Sequence, residues 1–208
     1  MSLNVKTMLE TRASVSIPVG TYQARIIGIV ELGFQETTYK GKYKRQRQVA
    51  FLFDVYENQT AKPVVIGKSY TMSICENANL RKAINSIRGR DFTEEELGDW
   101  DLKQLLDMPC TVSVGQYEKN GFKNAKIVQV GMPVEGSTVP ESTKEHIYFD
   151  MDDYDTWKSF ARMPKWVQLK INNSITFKEG NIYLDETGEA FTIAETIAEE
   201  NEHETCAK

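Results

Sequence analysis

Apolar and polar positions along this chain repeat with two different periods, and the changes of period mark out its elements. Residues 20–32 (GTYQARIIGIVEL) are dense in β-branched side chains, which crowd a helix but fit a pleated surface; they predict a strand that Gly33 ends. Gln48–Tyr56 alternates, with Val49, Phe51, Phe53 and Val55 on one face and Gln48, Asp54 and Tyr56 on the other. After a turn-like Asn58–Pro63, Val64–Ile74 predicts a third strand carrying Tyr70, Met72 and Ile74 on one face. The period then becomes helical. Leu80, Ile84 and Ile87 recur at i, i+4 and i+7, Asn77 is the expected N-cap, and Gly89 is placed to end the helix in a left-handed conformation.

Thr93-Glu94-Glu95-Glu96 has capping-box spacing, and Leu102, Leu105 and Leu106 mark a short helical turn stopped by Pro109. A fourth strand, Cys110–Tyr117, turns through Asn120-Gly121 into a fifth, Phe122–Val130; Asn-Gly is a strong hairpin signal because both residues tolerate positive φ. A polar linker follows to about Glu145. The order β-β-β-α-β-β is that of the OB-fold, a five-stranded, partly open Greek-key barrel, although other small barrels share it. The expected class is therefore mainly β (α+β): an OB-type barrel with a helix between strands three and four, a small helical and hairpin C-terminal extension, and an acidic tail. In domain terms this is an OB-type barrel over 1–135, an extension over 136–185, and a disordered tail over 186–208. Within the extension, Asp155 or Thr156 is expected to cap a short helix at Trp157–Met163. Pro164 opens another with Trp166, Val167, Leu169 and Ile171 as its apolar set, and Phe177–Leu184 forms a hairpin around Glu179-Gly180-Asn181.

Charge changes the picture. The net charge of −5 is distributed unevenly: residues 21–90 carry +7, residues 91–140 carry −5, and residues 141–208 carry −8. A basic first half points to an anionic partner that the acidic pI of the whole chain would conceal. No apolar run reaches the roughly 18–20 residues that span a bilayer, and Met1–Val19 lacks a secretory apolar stretch, so no membrane is expected and the expected compartment is the cytoplasm. Three cysteines without CxxC spacing suggest neither a disulfide framework nor zinc. GxSxG, HExxH and GxxxxGK[ST] are absent, His146 has no evident partner, and the chain reads as a non-enzyme without cofactor. The run Asp150–Asp155 fails as a calcium loop, since Asp155 stands where glycine and Ala161 where glutamate is required; its carboxylates suit a helix N-terminus better.

Two loops carry the candidate chemistry. Tyr39-Lys40-Gly41-Lys42-Tyr43-Lys44-Arg45-Gln46-Arg47 holds five cations and two aromatic rings without an acid. Single-stranded nucleic acid needs cations along its phosphates and flat faces under its unpaired bases, each stack contributing roughly 1–3 kcal/mol. Tyr117, Lys119, Phe122 and Lys123 repeat the mixture between strands four and five, and in an OB-fold these two loops flank the binding face. A solvated hairpin tip would also be basic, and Arg81, Lys82, Arg88 and Arg90 could extend the track or be an ordinary helix surface. The expected DNA-binding set is thus Tyr39, Lys40, Lys42, Tyr43, Lys44, Arg45, Arg47, Tyr117, Lys119, Phe122 and Lys123. The rival reading is a protein-interaction or virion-structural module that offers Trp157, Phe160, Trp166 and Ile171 to a partner.

The chain resembles a family of bacteriophage replication-module proteins that bind single-stranded DNA. The likeness lies in Pro18-Val19-Gly20-Thr21-Tyr22, in Leu80-Arg81-Lys82 with Arg88-Gly89-Arg90-Asp91-Phe92-Thr93, and in Glu95-Glu96-Leu97. It continues through Asp101-Leu102, Leu105-Leu106, Pro109-Cys110, and Met163-Pro164-Lys165-Trp166-Val167-Gln168 to Lys170-Ile171 and Ser174. It implies an OB-fold that coats single strands during phage DNA replication or recombination, and no catalytic residue. The acidic end is similar to the tails of bacterial single-strand binding proteins, which recruit replication proteins, but it finishes His203-Glu204-Thr205-Cys206-Ala207-Lys208 without their terminal hydrophobic pair. Such a tail is suited to recruiting phage or host replication proteins, or to competing with DNA for the basic loops. A homo-oligomer is compatible with the sequence.

Overall fold

The computed structural model describes residues 17–39, 41–57, 62–119, 122–179, 182–184 and 190–192. Strands β1 (Gly20–Tyr39), β2 (Lys42–Tyr56) and β3 (Val64–Thr71) precede helices α1 (Asn79–Arg88) and α2 (Glu94–Asp99) and a 3-10 turn at Leu102–Leu105. Then come β4 (Pro109–Lys119), β5 (Phe122–Gly131), β6 (Ile147–Phe149), a 3-10 helix at Tyr154–Arg162, α3 (Lys165–Asn172), α4 (Ile175–Glu179), β7 (Ile182–Leu184) and β8 (Ala190–Thr192). The protein is mainly β with a few helices: an open, essentially antiparallel sheet runs β3-β2-β1-β4-β5, and β6 joins β1 as a sixth strand. The described residues divide into two compact units, one comprising those up to Ile27 with Phe51–Lys68 and Ile74–His146, the other Gly28–Ala50, Ser69–Ser73 and those from Ile147 to Thr192.

In the first unit β1 pairs antiparallel with β4, from Gly20 opposite Val114 to Arg25 opposite Pro109, and β4 pairs with β5. Phe51, Phe53, Ile26, Val112, Ile84 and Leu105 fill the core. Alternation alone would leave one face of β2 open, yet every residue from Val49 to Tyr56 is buried, because both faces are covered. Asp54 consequently loses all exposure. Its carboxylate is held by the Lys144 ammonium and the Ser142 hydroxyl, both from the segment that reads as a linker in sequence. That segment is irregular but pinned: the Arg25 guanidinium donates to the Pro140 and Val139 carbonyls, and Gln23 donates to Ser137. The Lys68 ammonium on β3 donates to the Val128 carbonyl on β5 at 2.9 Å, so the two ends of the five-strand path meet through one side chain.

The helical signals divide. Leu80, Ile84 and Ile87 are buried as their spacing requires, and Gly89 ends α1 at φ 72°. Its missing Cβ leaves room for Met132, whose sulfur would lie 2.0 Å from one. Thr93 and Glu96 close a capping box. Asn77, however, is not the N-cap; Ala78 takes that position without a side-chain hydrogen bond. The third strand ends at Thr71, and Met72 and Ile74 are exposed rather than on a buried face. Of the turn expected over Asn58–Pro63, residues 58–61 lie outside the described residues, as does Asn120-Gly121.

In the second unit Gly33 does not end the first strand. It adopts φ 67° inside a strand that continues to Tyr39, while Met151 and Thr176 approach within 2.8 Å of where a Cβ would sit and the Phe34 amide donates to the Thr176 hydroxyl. Gly33→Ala is expected to destabilise the protein by about 2–4 kcal/mol, read by denaturant unfolding, because it combines a left-handed backbone penalty with overpacking. β6, which no alternation announced, pairs in parallel with Gly28–Val30. Phe149, Trp157, Phe160 and Phe177 form an aromatic cluster, with Trp157 and Phe160 stacked at 5.7 Å. Asp153, not Asp155 or Thr156, caps the helix that follows, and that helix is 3-10. Pro164 stands at the cap of α3, where only Val167 and Ile171 of the predicted apolar set are buried. The predicted hairpin over Phe177–Leu184 is also corrected: Phe177 belongs to α4, and β7 pairs with β8 at Ala190–Thr192, within the stretch expected to be tail.

Candidate nucleic-acid interface

Strand pleating sorts the basic strip into two sets. Successive side chains of a strand point to opposite faces, so Tyr43, Arg45 and Arg47 share one face of β2, and Lys42, Lys44, Gln46 and Gln48 share the other. The contacts follow this division. On the first face the Arg47 guanidinium donates to Glu31 at 2.5 Å and reaches Asp152 at 3.5 Å. The other Glu31 oxygen accepts the Met151 amide, which satisfies a carboxylate that is itself buried. Arg45 lies 3.9 Å from Glu179. Glu36 pushes the Tyr43 phenol above its ordinary pKa, while Tyr43 first and Glu179 after it raise that of Arg45.

On the second face Lys42 and Lys44 are exposed, and among the described residues neither makes an ion pair. Tyr43, between them in sequence but on the first face, is 56% exposed. Of the rest of the predicted strip, Lys40 and the side chain of Tyr39 lie outside the described residues. Gly41 turns the hairpin at φ 73° with open space where a Cβ would be.

The β4–β5 hairpin belongs to the first unit, whereas the basic strip belongs to the second. Tyr117 is 43% exposed with the Lys126 ammonium 5.8 Å from its ring centre. The side chains of Lys119, Phe122 and Lys123 lie outside the described residues. Sequence inspection passed over Lys126, although it follows Phe122 by four positions in the same strand.

Arg88 and Arg90 are engaged with the residues around them. Arg88 is buried over the Phe92 and Trp100 rings and bonds Glu96 at 2.5 Å, and Arg90 bonds the same carboxylate. Together with the Thr93 amide they hold the Glu96 carboxyl well below the usual carboxylate range. Both guanidiniums are thus paired with one carboxylate, Arg88 well covered and Arg90 exposed. In the acidic run, Asp150 accepts the Asp152 amide and Asp153 the Asp155 amide, as turn and cap. Burial pushes the Cys110 thiol up to about 12, so no thiolate is available near neutrality. The proposed protein anchor is largely consumed by the fold: Trp157, Phe160 and Ile171 are buried, and of the four only Trp166 is exposed. Compared with known proteins, the chain matches no family model and no curated sequence.

Proposed function

We propose that this protein binds and protects single-stranded DNA without sequence preference and without catalysis, through an OB-type barrel. The observation that carries the reading is the exposed end of β2, where Lys42 and Lys44 make no ion pair among the described residues on one pleat face and the exposed ring of Tyr43 stands on the other. Unpaired cations on a rigid strand attract phosphates with little reorganisation, and an exposed ring supplies a stacking face. The barrel reading is supported by β1 lying between β2 and β4, by α1 and α2 falling between β3 and β4, and by the Lys68 link from β3 to β5. The resemblance to phage replication-module proteins supplies the setting, replication or recombination of phage DNA. Recruitment of replication proteins would fall to the acidic end, whose residues 193–208 lie outside the described residues.

Titration of a fluorescent oligonucleotide tests this. Saturable binding is expected to weaken linearly in log–log form as salt rises, with a slope of about −0.7 per phosphate contacted. Binding indifferent to salt, or equal affinity for duplex, would sink the proposal.

A further inference from the structure

Lys170 is a half-buried cation with no carboxylate partner among the described residues. It sits on α3, and its ammonium donates to the Ser69 hydroxyl at 3.0 Å and to the Gln48 side-chain carbonyl at 3.3 Å. Both acceptors are neutral, and no carboxylate lies within ion-pair distance of it among the described residues. A half-buried ammonium without a counter-ion is a liability, since burial removes hydration that neutral oxygens replace incompletely. Burial lowers the Lys170 pKa accordingly. The contrast with Arg47 is informative: one residue from Gln48 along the same strand, Arg47 has two acids.

The position of the cation is as telling as its isolation. Gln48 is on the pleat face of β2 that carries Lys42 and Lys44, roughly 13 Å farther along the strand from Lys44. One helical turn before Lys170, on the same side of α3, stands Trp166, 37% exposed although it is the largest side chain of that helix. The Gln35 amide donates to the Lys170 and Leu32 carbonyls and so ties the end of α3 to β1. A cation without a carboxylate partner and a partly exposed indole are thus held one turn apart on an anchored helix, in the same compact unit as the basic strip.

We infer that α3 carries a second contact for the single strand, with Lys170, Gln48 and Ser69 seating a phosphate and Trp166 stacking on a base. This inference rests on the proposed function and adds to it a path that leaves the hairpin tip along the Lys42–Gln48 face. Lys170 is then retained for the ligand at the expense of the unbound fold.

Oligonucleotide titrations and melting of the full chain test it with Lys170→Met, Trp166→Leu and Trp166→Phe. Lys170→Met is expected to weaken binding about tenfold and reduce the salt slope by about 0.7, while its Tm equals or exceeds that of the parent. Trp166→Leu should lose about tenfold or more, and Trp166→Phe, which keeps a ring, should restore most of it. Unchanged affinity and slope for Lys170→Met, with the parent binding normally, overturns the second contact and leaves the first. A lower Tm for Lys170→Met with an unchanged slope makes it a structural lysine and overturns the inference as well. Equal affinity for the leucine and phenylalanine variants removes the stacking role. If the parent itself binds no oligonucleotide, the proposed function fails and this inference fails with it.

Discussion

Replacing Lys42 and Lys44 together with alanine is expected to weaken single-strand binding by roughly 10–100-fold at low salt and to reduce the salt slope by about 1.4, two phosphates' worth. The Tm should not move. Both side chains are exposed at a strand end, and among the described residues neither makes an ion pair, so the fold loses nothing with them. The two arginines are expected to behave differently, although all four belong to one basic strip. Arg45 has Tyr43 and Glu179 as neighbours, so its phosphate contact would compete with them, and Arg45→Ala should cost less affinity than either lysine. Arg47→Ala should instead be felt in stability, because it strips the buried Glu31 carboxylate of its cation. Fluorescence anisotropy across a salt series, with melting curves alongside, separates these cases. Equal losses for all four substitutions would mean that pleating does not sort the strip.

A large loss of stability is expected at Lys144→Met. Asp54 has no exposure, and the Lys144 ammonium is the charge that compensates it; with only the Ser142 hydroxyl left, a buried anion is stranded. Removing one partner of such a pair costs about 3–5 kcal/mol, and the exposed third of Lys144 puts the expectation near the lower end. For a chain of this size that corresponds to roughly 6–12 °C in Tm. The double variant Asp54→Asn/Lys144→Met removes both charges and should recover a large part of the loss, so the double-mutant cycle reads the coupling directly. Additive losses would place the cost in lost packing instead. Either result bears on the irregular segment 132–146, which Asp54, Arg25 and Gln23 together hold against the first unit.

Local features were legible in the sequence because short-range physics sets them. β-branched runs made β1 and β4, the i, i+4, i+7 leucine and isoleucines made the buried stripe of α1, Gly89 made its left-handed end, and Thr93 with Glu96 made the capping box. The basic strip was visible as composition. Elements that depend on a distant partner were not legible. β6 is three residues long and exists because the Gly28–Val30 stretch of β1 offers it hydrogen bonds. Gly33 reads as a strand end, yet Met151 and Thr176, far along the chain, make it a kink within a strand. Asp54 reads as a solvent-facing position because alternation says nothing of what covers the second face.

The same holds for the candidate interface. The sequence by itself determined that cations and rings gather at Tyr39–Arg47, since that is a matter of which residues are adjacent. Which of those cations are neutralised was decided by tertiary structure alone: Glu31, Asp152 and Glu179 arrive from elsewhere to occupy Arg47 and Arg45, and Lys170 arrives on α3 without an acid. Charge acts through space over a few ångströms, so a strip of like charges in sequence becomes two chemically different faces once the strand is pleated and its neighbours are in place.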